Sequence, residues 1–407
     1  MHVIFLAPHF PANQPRFVQG LKKVGARVTG IGDVPADRVP EGLKRLLDGY
    51  EYVPNVTSVE QVTAAVREIQ KRGPWVHYLE ATVEAHMYTA AVVRERTGIP
   101  GLTLEQVTRC RDKTVMKDFL REHGIPCAAN AAVSTLAEAR AFVAQHGYPV
   151  IMKPRDGAGA SGTYKITDDA SLEAAAAESG HDGRRSGAME VFIEGHEGFF
   201  DTLTVNGEVG LEFVCHYYPN VLDSMRNLHV NPYIAVTNRI DAPGYGNLRV
   251  FGRKVVQALG LKTTATHMEW FYGPRGLMFS EIGARPPGCN MWDVYSAAND
   301  FDIYEEWARA ICWGEIAARP SRRYAGGLIS LRPNKPGVIR GYRGLDEVQR
   351  KYGPFILDAH LPSPGMRTAP VEAGYLAHAW MRVRHPDYDA LRAMLDDIGQ
   401  RFQMVAE

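Results

Sequence analysis

Cysteine is scarce: five residues in 407 (Cys110, Cys127, Cys215, Cys289 and Cys312), odd in number and widely spaced. With no C-x-x-C among them, neither a disulfide framework nor a zinc site is indicated. An excess of charge is lacking too. Lys plus Arg and Asp plus Glu number 46 each, so there is no global basic field to attract nucleic acid, and no such partner is expected. No apolar run approaches the roughly 20 residues a membrane helix needs, so no membrane partner is expected either. The opening Met1-His2-Val3-Ile4-Phe5-Leu6-Ala7 lacks the basic region of a secretory leader and reads as a strand, which makes a cytoplasmic enzyme the expectation. What remains is an ordinary globular composition, 45% hydrophobic and 23% charged, in a chain long enough for two or three domains.

The first hundred residues alternate strand patterns (3–7, 27–31, 75–79) with helical ones (16–24, 59–71, 83–96), as in a parallel α/β sheet. Pro8-His9-Phe10-Pro11 follows the first strand where a dinucleotide fold would place glycines. A helix over 105–122 leads to a strand at 128–133 and a helix at 136–146. Strands dominate 189–282, with one helix at 248–259. Asp182-Gly183-Arg184-Arg185-Ser186-Gly187 reads as a loop tip. Helices follow at 291–298 and 303–312. The last unit, from Tyr324, mixes strands with a final helix at 388–402 and reads as a separate α+β subdomain.

Gly157-Ala158-Gly159-Ala160-Ser161-Gly162 satisfies G-x-G-x-x-G, and a strand precedes it at 149–153. The residues after it, 163–167, alternate polar and apolar with a β-branched bias and predict another strand, not a helix. A pyrophosphate loop must open a helix. Here the glycines bend a strand–loop–strand whose backbone N–H groups can cover phosphates as a flap. Lys153, just before the loop, can reach under the same phosphates. A nucleoside triphosphate is the expected ligand, not a dinucleotide.

A second signal is the hairpin His267-Met268-Glu269-Trp270-Phe271-Tyr272 and Phe279-Ser280-Glu281-Ile282-Gly283-Ala284-Arg285-Pro286. A three-residue loop, Pro274-Arg275-Gly276, sets Glu269 opposite Glu281 and His267 opposite Gly283. Carboxylates directly opposite, with Cβ atoms about 5 Å apart, repel unless a cation sits between them. Hard oxygen ligands completed by triphosphate oxygens suit Mg²⁺, or Mn²⁺ in its place.

Lys-Pro followed by a glycine-rich, serine-containing hairpin resembles the ATP-grasp superfamily. The resemblance implies an ATP-grasp fold of α/β and α+β parts, with a Rossmann-like pre-ATP-grasp domain at 1–104 and an ATP-grasp domain at 105–323. It also implies a flap subdomain at about 127–193 and a C-terminal subdomain at 324–407 like that of biotin carboxylase. Its implied nucleotide contacts are Lys113, Lys153, the flap residues Gly157, Gly159, Ser161 and Gly162, the Glu190 carboxylate and Ile193 backbone at the adenine, and Glu197 at the ribose. Glu269 and Glu281 match the metal-binding hairpin, and Arg285 matches the arginine that holds an acyl phosphate. Gly283 departs from the family, which usually has Asn there as a further metal ligand; His267 or water is the expected substitute. A similar ending without Asn occurs in some amino-acid ligases of the superfamily.

The resemblance therefore implies an ATP-dependent ligase, with Lys153 and Arg285 in catalytic roles. It would convert a small carboxylate to an acyl phosphate and join it to an amine, both substrates being amino acids by expectation, with release of ADP and phosphate. A homodimer is kept as the expected assembly. Two alternatives stand beside it: a carboxylase-like enzyme that phosphorylates bicarbonate, and a non-catalytic ATP-binding protein. Arg226 and His229 either meet a substrate or sit on a surface loop, and Arg332 is either cavity-facing or a solvated strand end.

Overall fold

Val3, Ile4, Phe5 and Leu6 are fully buried because their strand, His2–Leu6, has parallel partners on both sides. With Arg27–Gly32, Gly49–Tyr52 and Tyr78–Glu80 it makes a four-stranded sheet. The computed structural model describes residues 1–157, 162–179 and 182–407, the side chains of 182–185 excepted. The strand expected at 75–79 begins only at Tyr78, and Trp75 is 70% exposed. Pro74 has no N–H to offer, and pairing with the first strand starts at the His77 N–H, which donates to the His2 carbonyl.

The helix expected over 105–122 is two helices, Leu104–Arg111 and Lys113–Glu122. Asp112 is extended between them, and its carboxylate accepts from the N–H groups of Thr114 and Val115. An N-cap of this kind starts a new helix with a new axis. Arg155, before the glycine loop, pairs with the same carboxylate. The break thus ties the start of the second helix to the flap.

The flap is a sheet of its own, ordered Asn130–Thr135, Asp182–Val191, Val150–Pro154, Tyr164–Ile166. Val150 pairs with Ile166 and Met152 with Tyr164, so a strand does follow the glycine loop. The loop tip expected at 182–187 is instead the first half of a ten-residue strand. Its turn-like composition is overridden by partners on both edges, with Gly187 opposite both Val133 and Pro154. Val133, Phe142, Val150, Ile166, Leu172 and Met189 form a core private to this sheet.

The largest sheet is antiparallel, with eight strands ordered Gly276–Gly283, Thr264–Gly273, His196–Val205, Glu208–Tyr218, Tyr233–Val236, Ala325–Leu331, Ala379–His385 and Ile356–His360. The last unit is therefore not a free-standing sheet, since Ala325–Leu331 pairs with Tyr233–Val236. It keeps a distinct core around Leu391, Leu395 and Ile398 of the final helix, Tyr388–Arg401. The N-terminal sheet shares its cores with the large one: Leu79 and Val107 cluster with Phe200 and Ile282, and Phe5 and Phe17 with Trp292 and Trp307. Among the described residues, no helix is long and apolar enough to cross a membrane.

Asp112→Ala removes the cap and one partner of Arg155. We expect a loss of about 1 kcal/mol or more in urea denaturation, with flap residues 150–166 exchanging amide hydrogens faster than in the wild type. Unchanged stability and exchange would contradict the junction described here.

Candidate active site

The flap sheet and the 264–283 hairpin face each other across a cleft of about 990 Å³, measured to its open mouth. Ile151, Ile193, Leu222 and Phe271 give it an apolar wall, and Lys113, Lys153, Glu190, Glu197, Glu269 and Glu281 a charged one. An apolar wall facing a few convergent charges suits a nucleotide. Ile193 follows the end of the long flap strand. Among the described residues, neither its amide nor its carbonyl has a hydrogen-bond partner, which leaves a backbone edge free for a planar base.

Lys113 is not the solvated helix lysine its position in a continuous helix would suggest. It is 6% exposed, because the break at Asp112 makes it the first residue of the second helix. Its N–H donates to the Arg155 carbonyl, and its ammonium donates to the Gly157 carbonyl and lies 3.3 Å from Glu281. Lys153 stands 3.1 Å from Glu190 and 3.8 Å from Glu281. Lys117 passed unnoticed in the sequence, although its spacing of one helical turn from Lys113 was visible. Fully buried, it lies 2.5 Å from the other Glu190 oxygen. Burial brings its ammonium down to about 8 despite Glu190. Burial alone would raise Glu190, but Lys117 and Lys153 outweigh it and hold the carboxyl below its ordinary value.

Glu269 and Glu281 pair directly, and His267 stands opposite Gly283. The turn that produces this register differs from the expected one. Gly273 pairs with Gly276, leaving only Pro274-Arg275 as the loop, and Trp270 pairs with Phe279. Continued regularly, that register would set Glu269 opposite Ser280 and turn Glu281 to the other face. Ser280 is instead the extra residue of a bulge between Phe279 and Glu281, which returns the second carboxylate to the cleft.

The two acids are driven apart in affinity for protons. Burial first, then Glu281 and Glu197, push the Glu269 carboxyl up to about 8. Burial would raise Glu281 as well, but Lys113, Lys153 and Lys117 outweigh it and hold it near 2. Glu197, raised to about 7 by burial, accepts from the Val221 N–H at 2.6 Å, which partly offsets the shift. A divalent cation fits the facing pair, since it would take the place of the proton that Glu269 otherwise keeps. Among the described residues, no group of three or more His, Cys, Asp and Glu could hold a metal alone. Phosphate and water oxygens would have to complete the shell.

Gly283 lies in a tight place crowded by flexible side chains. A Cβ there would lie 3.4 Å from Glu84 Oε2 and 3.3 Å from Arg285 Cγ. Glu84, from the start of helix Glu84–Thr97, accepts from Arg285 Nε at 2.5 Å, while Arg285 Nη1 donates to the Pro286 carbonyl. Nothing in the sequence linked residues two hundred positions apart. His267 is fixed by Asp201, 2.8 Å from its Nδ1, and Asp201 in turn accepts from the Tyr295 hydroxyl. The other ring nitrogen of His267 lies 3.8 Å from Glu269.

Gly157 lines the cleft and Gly162 has φ +65°, a conformation glycine adopts without strain. Gly159 and Ser161 lie outside the described residues. Arg226 and His229 are on an exposed loop, where the Arg226 guanidinium donates to the Thr163 carbonyl beside the glycine loop. Arg332 is 3% exposed, so it is not a solvated strand end.

Residues 112–198 match the family described as the carbamoyl-phosphate synthase L chain, ATP binding domain. The chain is 28% identical over 317 residues to an L-arginine-specific L-amino acid ligase of Bacillus subtilis, covering 76% of this chain and 75% of that one. It is 24% identical to an alanine–anticapsin ligase of Bacillus subtilis (strain 168), over 59% of this chain and only 53% of the relative. The crystal structure of an L-amino acid ligase from Bacillus licheniformis superposes with a TM-score of 0.78 at 17% identity, covering 100% of this chain and 98% of that one. A flap sheet and an acid-bearing hairpin closing on a lysine-lined cleft make an ATP-grasp fold, the fold of that solved ligase, and residues 112–198 carry the matching ATP-binding domain. Both curated relatives are named as ligases.

Glu269→Gln offers a test of the acid pair. A carboxyl raised from about 4.3 when unfolded to about 8 when folded makes the metal-free protein lose stability as pH rises through that window. In EDTA, the variant should gain stability over the wild type progressively from pH 5 to pH 8.5 in urea denaturation. A difference that does not change with pH would mean the pair is not strained.

Proposed function

We propose that the chain joins two amino acids, activating the carboxylate of one as an acyl phosphate and passing it to the amine of the other. Support comes chiefly from one arrangement: Lys113, Lys153 and a facing acid pair line one wall of a cleft, with Lys117 buried behind Glu190, while the other wall is apolar and the Ile193 backbone is unpaired among the described residues. A binding protein has no use for so many charges at the phosphate end. Phosphoryl transfer has, because its barrier falls when charge on the transferring group is neutralised.

In this proposal adenine lies against Ile193 with Glu190 at its edge, and Glu197 accepts from a ribose hydroxyl. Lys113 and Lys153 hold phosphate oxygens. Glu269 and Glu281 hold Mg²⁺, or Mn²⁺, which when bound supplies charge neutralisation to the triphosphate. A carboxylate oxygen of the donor attacks the γ-phosphorus, and ADP leaves. Arg285, kept in place by Glu84, is positioned for the oxygens of the acyl phosphate. The acceptor nitrogen then adds to the acyl carbon, loses a proton and expels phosphate. The division at 1–104, 105–323 and 324–407 with a flap at 127–193, a cytoplasmic location and a homodimer belong to the same proposal.

The test is ADP release with Mg-ATP against amino acids singly and in pairs, with mass spectrometry of each mixture. Release that needs a pair, with a product lighter than the two by one water, is expected. Lys153→Ala and Glu281→Ala should each lower turnover about 100-fold or more without changing the circular dichroism spectrum. Release with bicarbonate alone would move the chemistry to a carboxylase, and wild-type-like turnover in either variant would remove that residue from the site.

A further inference from the structure

The donor carboxylate and the triphosphate employ Lys113, Lys153 and Arg285 in that proposal, but among the described residues one buried arginine is left without an anion. Arg332 follows the strand Ala325–Leu331 and is 3% exposed. Its backbone N–H donates to Asn231 Oδ1 and its Nη1 to the Asn227 carbonyl, both at 2.7 Å. Its Nε and Nη2 are buried with no hydrogen-bond partner. Glu372 is the acid that acts on it electrostatically, yet among the described residues no carboxylate reaches ion-pair distance. A guanidinium removed from water with two idle donors is costly, and such a site is stabilised by an anion that arrives from outside.

The surroundings connect this cation to the cleft. Tyr375, 5% exposed, lies within electrostatic reach of Arg332 and also of Glu197 and Cys289. Its ring stands 6.3 Å from that of Tyr217, which in turn feels Glu269. The segment that Arg332 grips at Asn227 begins with Asn220, Val221, Leu222 and Asp223, all in the cleft wall. His378, 1% exposed and also acted on by Arg332, has a buried Nε2 with no partner. Two polar side chains more than nine-tenths buried therefore hold unused hydrogen-bonding capacity, and one of them, Arg332, is bonded to the segment that continues from the cleft wall.

Resting on the amino-acid ligase proposal above, we infer that Arg332 holds the carboxylate of the acceptor amino acid. A fork of two parallel N–H donors matches a carboxylate in geometry and charge. Holding that carboxylate at Arg332 also keeps it away from the γ-phosphate, so that the donor's carboxylate is the one activated while the acceptor presents its amine.

The experiment compares, in the full chain, initial rates of amide formation with one acceptor supplied as the free acid and as its carboxamide. The wild type should prefer the acid by about 10- to 100-fold in kcat/KM, the value of a charge-assisted contact. Arg332→Gln should bring that ratio to within about threefold of one, and Arg332→Lys should retain part of it. Equal use of acid and amide by the wild type, or an Arg332→Gln variant that slows both alike, would overturn the inference. Should the Gln variant fail to fold, the Lys variant carries the same ratio. Hydroxylamine in place of the acceptor separates the two levels in the wild type: hydroxamate without acid preference sinks only the Arg332 site, whereas no hydroxamate with any amino acid sinks the ligase proposal as well.

Discussion

Repulsion among carboxylates in one cleft, and the lysines that answer it, is the constraint on which the rest of this structure turns. Glu190, Glu197, Glu269 and Glu281 share one charged wall with Lys113 and Lys153, and Lys117 is buried behind it against Glu190. Glu190 and Glu281 stay ionised because ammonium groups sit against them, whereas Glu269 and Glu197 keep affinity for protons. The cleft is thus unbalanced in a specific way: ammonium groups gather at Glu190 and Glu281, and Glu269 faces Glu281 without one of its own. In the proposed function, a nucleoside triphosphate with a divalent cation would satisfy both at once.

Several elements exist to hold that balance. The break at Asp112 points Lys113 into the cleft and, through Arg155, fastens the helix to the strand that carries Lys153. The bulge at Ser280 turns Glu281 to the face where Glu269 already points. The Glu84–Arg285 pair crosses from the start of helix Glu84–Thr97 to the end of the acid-bearing hairpin, close beside Gly283. Each is a local irregularity, a cap, a bulge or a glycine, and each lies next to the chemistry. Regular strands and helices supply the frame, and the departures from regularity aim the side chains.

Much of the frame was legible because it rests on short-range pattern. The parallel first strands, the helix Leu136–His146, the strand after the glycine loop and the antiparallel hairpin all follow from periodicity and turn chemistry. The misreadings have a common cause, namely partners far along the chain. Helical periodicity runs unbroken through 105–122, and only the pull of Arg155 on Asp112 shows why the axis changes. A turn-like composition at 182–187 becomes strand because two edges are waiting for it. The hairpin brought the acids together although its loop is one residue shorter than expected, since the bulge compensates.

The sequence by itself determined the class of chemistry: a glycine loop between two strands, a lysine before it, and two acids on facing strands, all set by spacings of a few residues that local backbone geometry translates directly. Tertiary structure alone decided what surrounds them. Lys117 beneath Glu190, Glu84 against Arg285, Asp201 and Tyr295 behind His267, and the unpaired Arg332 beside Tyr375 are separated by tens to hundreds of positions. Burial and electrostatic balance depend on every neighbour in space, and no local pattern in a single chain records them.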